Sequence, residues 1–166
     1  IEVCLVGSEM CIRDRPKASV KRLIECKKDD LIELVLDIEK YPEFVPFCFD
    51  AKVYENKKEG DLTKIIADLT IGKGPFKDTY KSDVVFDKNK DVISVKNIEG
   101  PLNHLSNNWT FTDKKNGITE ITFDIDFEIK NKFLNSLMVV SFQYGLEKIA
   151  DAFQMRAEKL FGSAKN

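Results

Sequence analysis

Apolar and polar residues alternate in several short runs, and one long run repeats with a helical period. The clearest alternation is Ile121, Phe123, Ile125, Phe127 and Ile129 against Thr122, Asp124, Asp126 and Glu128. A period of two with one apolar face predicts a strand of an antiparallel sheet covered on one side. Further strands are predicted over 20–26, 51–54, 62–71, 76–86, 92–98 and 105–112. Turn signals separate them at Gly60, Gly72-Lys73-Gly74-Pro75, Asp87-Lys88-Asn89-Lys90, Gly100-Pro101 and Asn116-Gly117. Asn-Gly between two such runs is a strong hairpin signal.

Two stretches carry a helical period instead. Leu31, Ile32, Leu34, Val35 and Ile38 predict a short helix over 31–39, with Asp29 and Asp30 as candidate N-caps. Leu134, Met138, Phe142, Ile149, Phe153 and Leu160 form a stripe that predicts a long helix over 132–161. At 1.5 Å per residue it is about 45 Å long, enough to fill the concave face of a curved sheet. Its front half (Phe133, Leu134, Leu137, Met138, Val139, Val140, Phe142) is apolar nearly all round. Such a helix is buried or meets something else apolar. The order strand, helix, antiparallel strands, long helix predicts an α+β fold.

Between the short helix and the next strand stands Tyr41-Pro42-Glu43-Phe44-Val45-Pro46-Phe47-Cys48. Two prolines oppose a continued helix. The segment is nevertheless too apolar for an ordinary surface loop. A stiff apolar connector of this kind plugs one end of a core or lines the mouth of a cavity. A second motif, residues 100–111, reads Gly-Pro-Leu-Asn-His-Leu-Ser-Asn-Asn-Trp-Thr-Phe.

Together, and in this order, the two motifs resemble the coenzyme-Q-binding START-domain family, part of the polyketide cyclase/dehydrase-like superfamily. That family includes the bacterial ribosome-association toxin group. The likeness runs from about Ala18 to Phe161. Phe47 stands where a Trp is common in the family, and Leu102 where a Phe is common. The resemblance implies a helix-grip fold, a curved antiparallel sheet around the C-terminal helix with an internal apolar cavity. It also implies an isoprenoid quinone such as ubiquinone as bound ligand, with the protein acting as carrier or chaperone in respiratory electron transport. The alternative it implies is association with the large ribosomal subunit and a block to subunit joining.

Composition narrows the classes. Of 166 residues, 26 are basic and 28 acidic, a net charge of −2, with a pI near 5.6. A near-neutral chain lacks the overall electrostatic footprint of a nucleic-acid binder, so DNA is not an expected partner. Lys73, Lys77 and Lys81 on or beside one strand are the patch a ribosome binder would use. Cys26 and Cys48 show no metal-ligand spacing, so no metal site is expected. The single histidine, His104, would have to serve any Ser-His-Asp or Cys-His set, and no partner pattern accompanies it. Asp124, Asp126 and Glu128 fall on the water-facing side, where burial cannot shift them. No catalytic residues and no cofactor are therefore expected.

An apolar wall with a few polar handles remains. The residues expected to line it are Phe44, Val45, Phe47, Tyr80, Leu102, Trp109, Phe123, Met138 and Phe142, with Tyr80 as the polar handle. An apolar cleft with few polar groups suits a lipid with a small polar head. Transient membrane-surface contact during ligand loading is a further expected partner. Expected locations are cytoplasmic or membrane-peripheral for a bacterial protein, or the matrix side of the inner mitochondrial membrane for a eukaryotic one.

Residues 1–15 fit none of this. The run Cys-Leu-Val-Gly-Ser-Glu-Met-Cys-Ile-Arg-Asp-Arg, residues 4–15, resembles one reading frame of a transposon-type library adapter. They are expected to be an assembly scar outside a single domain over 16–163.

Overall fold

The alternating runs form one sheet. The computed structural model describes residues 17–162. Seven strands run β1 (Lys17–Ile24), β2 (Cys48–Glu59), β3 (Leu62–Lys73), β4 (Phe76–Asp87), β5 (Val92–Glu99), β6 (Leu102–Asp113) and β7 (Thr119–Ile129). Helix α1 (Lys28–Leu36) follows β1, and α2 (Lys132–Phe161) closes the chain. The strand order is β1-β7-β6-β5-β4-β3-β2, and every neighbouring pair is antiparallel. The curved sheet and its C-terminal helix make the START-like helix-grip architecture.

The concave face carries the apolar half of each alternation. Ile65 and Ala67 of β3, Val84 of β4, Ile93 of β5, Trp109 and Phe111 of β6, and Ile121 and Phe123 of β7 are buried there. Helix α2 covers them through Leu146, Ala150, Phe153 and Ala157. This differs in part from the stripe the period predicts. Leu160 is exposed, and Phe161 packs on the core in its place. Two alanines in the buried row let the helix lie close: the Cys26 thiol donates to the Ala157 carbonyl at 3.6 Å. Polar ties fix the helix. Arg22 of β1 pairs with Asp151 at 3.0 Å, and Arg156 with Glu43 at 2.8 Å.

Some boundaries differ from the sequence reading. Strand β1 occupies 17–24 rather than 20–26. Helix α1 starts at Lys28, three residues early; its N-cap is Lys27 with no side-chain cap bond. Asp29 and Asp30 sit instead in the first turn, where a negative charge favours the positive end of the helix dipole. The proline-bearing connector is not free of helix. A 3₁₀ segment, Ile38–Glu43, takes in Pro42. Strand β2 runs on to Glu59, because its charged second half pairs with β3 as a two-sided polar ribbon.

The sheet has two unlike ends. The β3–β4 and β5–β6 turns and the β7–α2 corner share one end, along with the start of β2. The β2–β3, β4–β5 and β6–β7 turns share the other, with the start of α1.

Candidate functional site

The two sequence motifs meet at the first of these ends. Tyr41 anchors the connector: its hydroxyl donates to the Val35 carbonyl. Burial pushes that phenol far above its ordinary pKa. The chain then turns through Phe47, which has φ +71°. A left-handed conformation is costly for an aromatic residue and persists only where neighbours hold it. Here the Phe47 carbonyl accepts the Gly72 amide at 2.9 Å. Its ring reaches α2 at Gly145, where a β-carbon would stand 3.8 Å away. A register shift at Cys48/Asp50 follows at once, so the strained residue leads directly into β2.

The second motif begins with Gly100 at φ +133°. A β-carbon there would lie 2.8 Å from Cα and Cβ of Tyr80, so this position requires glycine. The Gly100-Pro101 turn thus presses on the Tyr80 backbone from one side. Pro101 is held in turn by Lys130, whose amide donates to the Pro101 carbonyl at 2.8 Å. From β3, Leu69 is register partner to Tyr80. Burial raises the Tyr80 phenol well above its ordinary value, and the nearby Cys48 thiol adds to the effect. Cys48 itself is pushed up to about 11 by burial.

Below Tyr80 lies an apolar patch distinct from the main core. Leu102 and Leu105 of β6 and Phe127 of β7 are buried together, with Tyr80, Ile125, Ile129 and Phe142 packed on them. The Phe127 and Phe142 rings meet at 4.6 Å and 61°.

Seven of the nine expected wall residues therefore fall into two groups. Tyr80, Leu102 and Phe142 belong to this patch. Trp109, Phe123, Phe44 and Val45 belong to the main core, where they pack on each other. Trp109 stacks on Phe123 at 4.1 Å and 11°. The Phe153 ring stands edge-on to Trp109 at 4.9 Å, Phe44 at 5.0 Å and Tyr41 at 5.4 Å. The crevice beside Trp109 and Phe123 measures about 10 Å³, room for no more than about one water molecule. That half of the interior is filled. Half-buried Phe47 contacts α2 between the two groups. The side chain of Met138 lies outside the described residues. Sequence reasoning missed Phe153 and Tyr41 as organisers, although both stood in segments it had singled out.

Polar groups also face inward, and their bonds go to the sheet itself. Ser82 donates to the Ala67 carbonyl at 3.3 Å, Asn97 to that of Leu102 at 3.2 Å, and Asn107 to that of Asp124 at 3.0 Å.

The outer face holds His104 and several of the charged groups. His104 faces Asp126 at 3.5 Å, and both are partly exposed. Lys81 bridges Asp68 at 3.3 Å and lies 3.9 Å over the Tyr54 ring. Lys77 sits 4.0 Å over Phe49. At the opposite end of the molecule a polar cleft of about 290 Å³ is lined by Cys26, Lys27, Lys28, Asp113 and Thr119. There Lys28 is fixed between Asp91 (2.9 Å) and Asp113 (3.2 Å).

Residues 24–154 match the family described as polyketide cyclase / dehydrase and lipid transport. The chain belongs to this family. Among curated relatives, the mitochondrial coenzyme Q-binding protein of Dictyostelium discoideum is 30% identical, over 83% of this chain and 67% of that protein. The ribosome association toxin RatA of Rickettsia prowazekii is 31% identical, over 84% of this chain and 94% of the toxin. Among solved structures, an 18 kDa Caulobacter crescentus protein is 26% identical, with a TM-score of 0.72 over 87% of this chain and 97% of its own. A Streptomyces aromatase/cyclase is 16% identical, with a TM-score of 0.71 over 87% of this chain and 94% of its own. At that identity the likeness speaks for the fold alone.

Proposed function

We propose that this protein binds an isoprenoid quinone, with ubiquinone the first choice, and carries it for respiratory electron transport. The observation that carries the reading is the meeting of both motifs at Tyr80, above the Leu102–Leu105–Phe127 patch. A partly buried tyrosine beside an apolar patch offers its hydroxyl to a quinone carbonyl and an apolar surface to the tail. The name of the Dictyostelium relative supports the same ligand.

Binding without turnover is part of the reading. His104 stands on the outer face with Asp126, away from the apolar patch. A His104→Ala variant keeps its fold and its ligand. Mass spectrometry of an organic extract of the purified protein tests the ligand. Quinone in the extract is the expected result; fatty acids and phospholipids alone would remove it.

A second reading is association with the large ribosomal subunit. The 94% coverage of the Rickettsia toxin favours it. The outer-face lysines support it less, because Lys81 is already neutralised by Asp68 and Lys77 is seated on Phe49. Phosphate contacts make such binding steeply salt-sensitive. Co-sedimentation with large subunits across a salt series, with Lys77→Glu and Lys81→Glu, decides between the readings. Tight binding by a protein that yields no quinone reverses their order.

A further inference from the structure

We propose that the outward row of α2 pairs with the same row of a second copy of this chain. The two helices would lie antiparallel and form a concentration-dependent homodimer. The row is Tyr144, Lys148, Asp151 and Met155. Neither this seam nor its test depends on which ligand the protein binds.

Helix α2 buries one side and leaves the opposite side open. Leu146, Ala150, Phe153 and Ala157 are buried against the sheet. Each residue of the outward row stands two positions before one of these four, about 200° round the helix. Tyr144 is 65% exposed and Met155 69%. Single exposed apolar residues need no explanation. Here two of them frame a lysine and an aspartate on one line, at intervals of four, three and four residues. That is the spacing of the core positions in a two-stranded coiled coil. Packing on the sheet uses the other side of the helix, so this spacing serves nothing within one copy.

Charge selects both the occupant and its direction. Turn a second copy antiparallel about a point between Ile149 and Ala150. Tyr144 then meets Met155 of the second copy, and Lys148 meets Asp151. Two-fold symmetry makes each contact twice, so the row is complementary to itself, as a two-fold interface requires. A parallel pairing would set lysine on lysine and aspartate on aspartate. On one flank the antiparallel pairing places Gly145 against Ala152, both small. On the other it places Glu147 against Gln154, so no like charges meet. Lys148 lies 4.9 Å over the Tyr144 ring and meets no carboxylate of its own chain among the described residues. Asp151 bonds Arg22 at 3.0 Å, yet its side chain stays 60% exposed, so a second cation can reach it. The row is about 17 Å long. A contact of that length is smaller than the roughly 1,200–2,000 Å² of stable interfaces, so the dimer is a weak one.

Sedimentation velocity of the full chain over a concentration series is the test. The parent should pass from monomer toward dimer as concentration rises. An exposed ion pair contributes between about 1.4-fold and fivefold in affinity. Lys148→Asp turns two attractions into two repulsions and should raise the dimer Kd by on the order of tenfold. Asp151→Lys should do likewise, although it also loses the Arg22 bond. Lys148→Asp combined with Asp151→Lys loses that bond too, but re-forms both pairs with the signs exchanged. The double variant should therefore dimerise like the parent, and should not pair with the parent when the two are mixed. Tyr144→Ser with Met155→Ser should leave only monomer while the circular-dichroism melt stays as in the parent. Three results would overturn the proposal. They are a monomer at every concentration up to about 1 mM, a dimer indifferent to these variants, and a double charge exchange that dimerises no better than Lys148→Asp alone.

Discussion

Phe153→Ala tests whether the main aromatic cluster is a solid core. Phe153 is 4% exposed and meets Tyr41, Phe44 and Trp109 edge-on at 5.4, 5.0 and 4.9 Å. Truncating a buried Phe in a well-packed site costs about 3–5 kcal/mol, a range that already includes the lost ring contacts. The site is poorly able to collapse, because Trp109 is pinned by its stack on Phe123 and Tyr41 by its bond to Val35. The upper half of the range is therefore expected. Against a total stability of about 5–15 kcal/mol this is a large fraction. For a domain of this size it lowers the melting temperature by about 8–20 °C. Urea unfolding with an unchanged m-value is the assay, and Phe133→Ala is the control. Phe133 is 72% exposed, and its truncation should change stability by no more than about 0.5 kcal/mol. A loss below about 1 kcal/mol for Phe153→Ala would refute the reasoning. It would mean that the half of the interior described as filled is loosely packed after all.

Three further predictions follow from single residues. Gly100→Ala drives a β-carbon into the Tyr80 backbone and forces alanine to φ +133°, so at least about 2 kcal/mol of stability is lost, read by urea unfolding. Cys48, with its thiol pushed up to about 11 by burial, stays protonated at neutral pH; peptide mapping after iodoacetamide should find it labelled only when the protein is unfolded, and rapid native labelling would contradict its burial. Asp68 is held below its ordinary value of 3.8, first by the Tyr54 hydroxyl and then by Lys81. A depressed carboxyl contributes stability above the unfolded value and loses it as pH falls through the folded one. Tyr54→Phe should raise the Asp68 titration midpoint by NMR, and no movement would mean that the 2.6 Å Tyr54–Asp68 bond does not form in solution.

The strands and the long helix were legible because their apolar period survives in sequence. Strand β7 reads as a strand from Ile121 to Ile129 since one face must be buried. The second half of β2 did not, since Asn56–Glu59 is exposed on both faces and leaves no alternation to find. The start of α1 was misplaced because the acids that favour its first turn resemble caps. The candidate site was legible only as a set of residue types. A packed core and a lipid-facing wall call for the same side chains, so composition could not separate Trp109 from Leu102. Register shows only that their surroundings differ: Trp109 faces Phe123 and stacks, whereas Leu102, the first residue of β6, faces Ile129 at the end of β7. The left-handed turn at Phe47 had no sequence signal, since that conformation is ordinarily marked by glycine or asparagine.

The inward-facing Ser82, Asn97 and Asn107 each spend a donor on a carbonyl of their own sheet. These bonds do not exhaust the side chains: each asparagine keeps a second N–H and its amide oxygen, and the serine keeps its oxygen lone pairs. What the bonds fix is direction. Each polar group points where a neighbouring strand holds it, through the carbonyls of Ala67, Leu102 and Asp124. A substitution that shifts the backbone at one of those three carbonyls would re-aim an inward polar group as surely as replacing the polar residue itself.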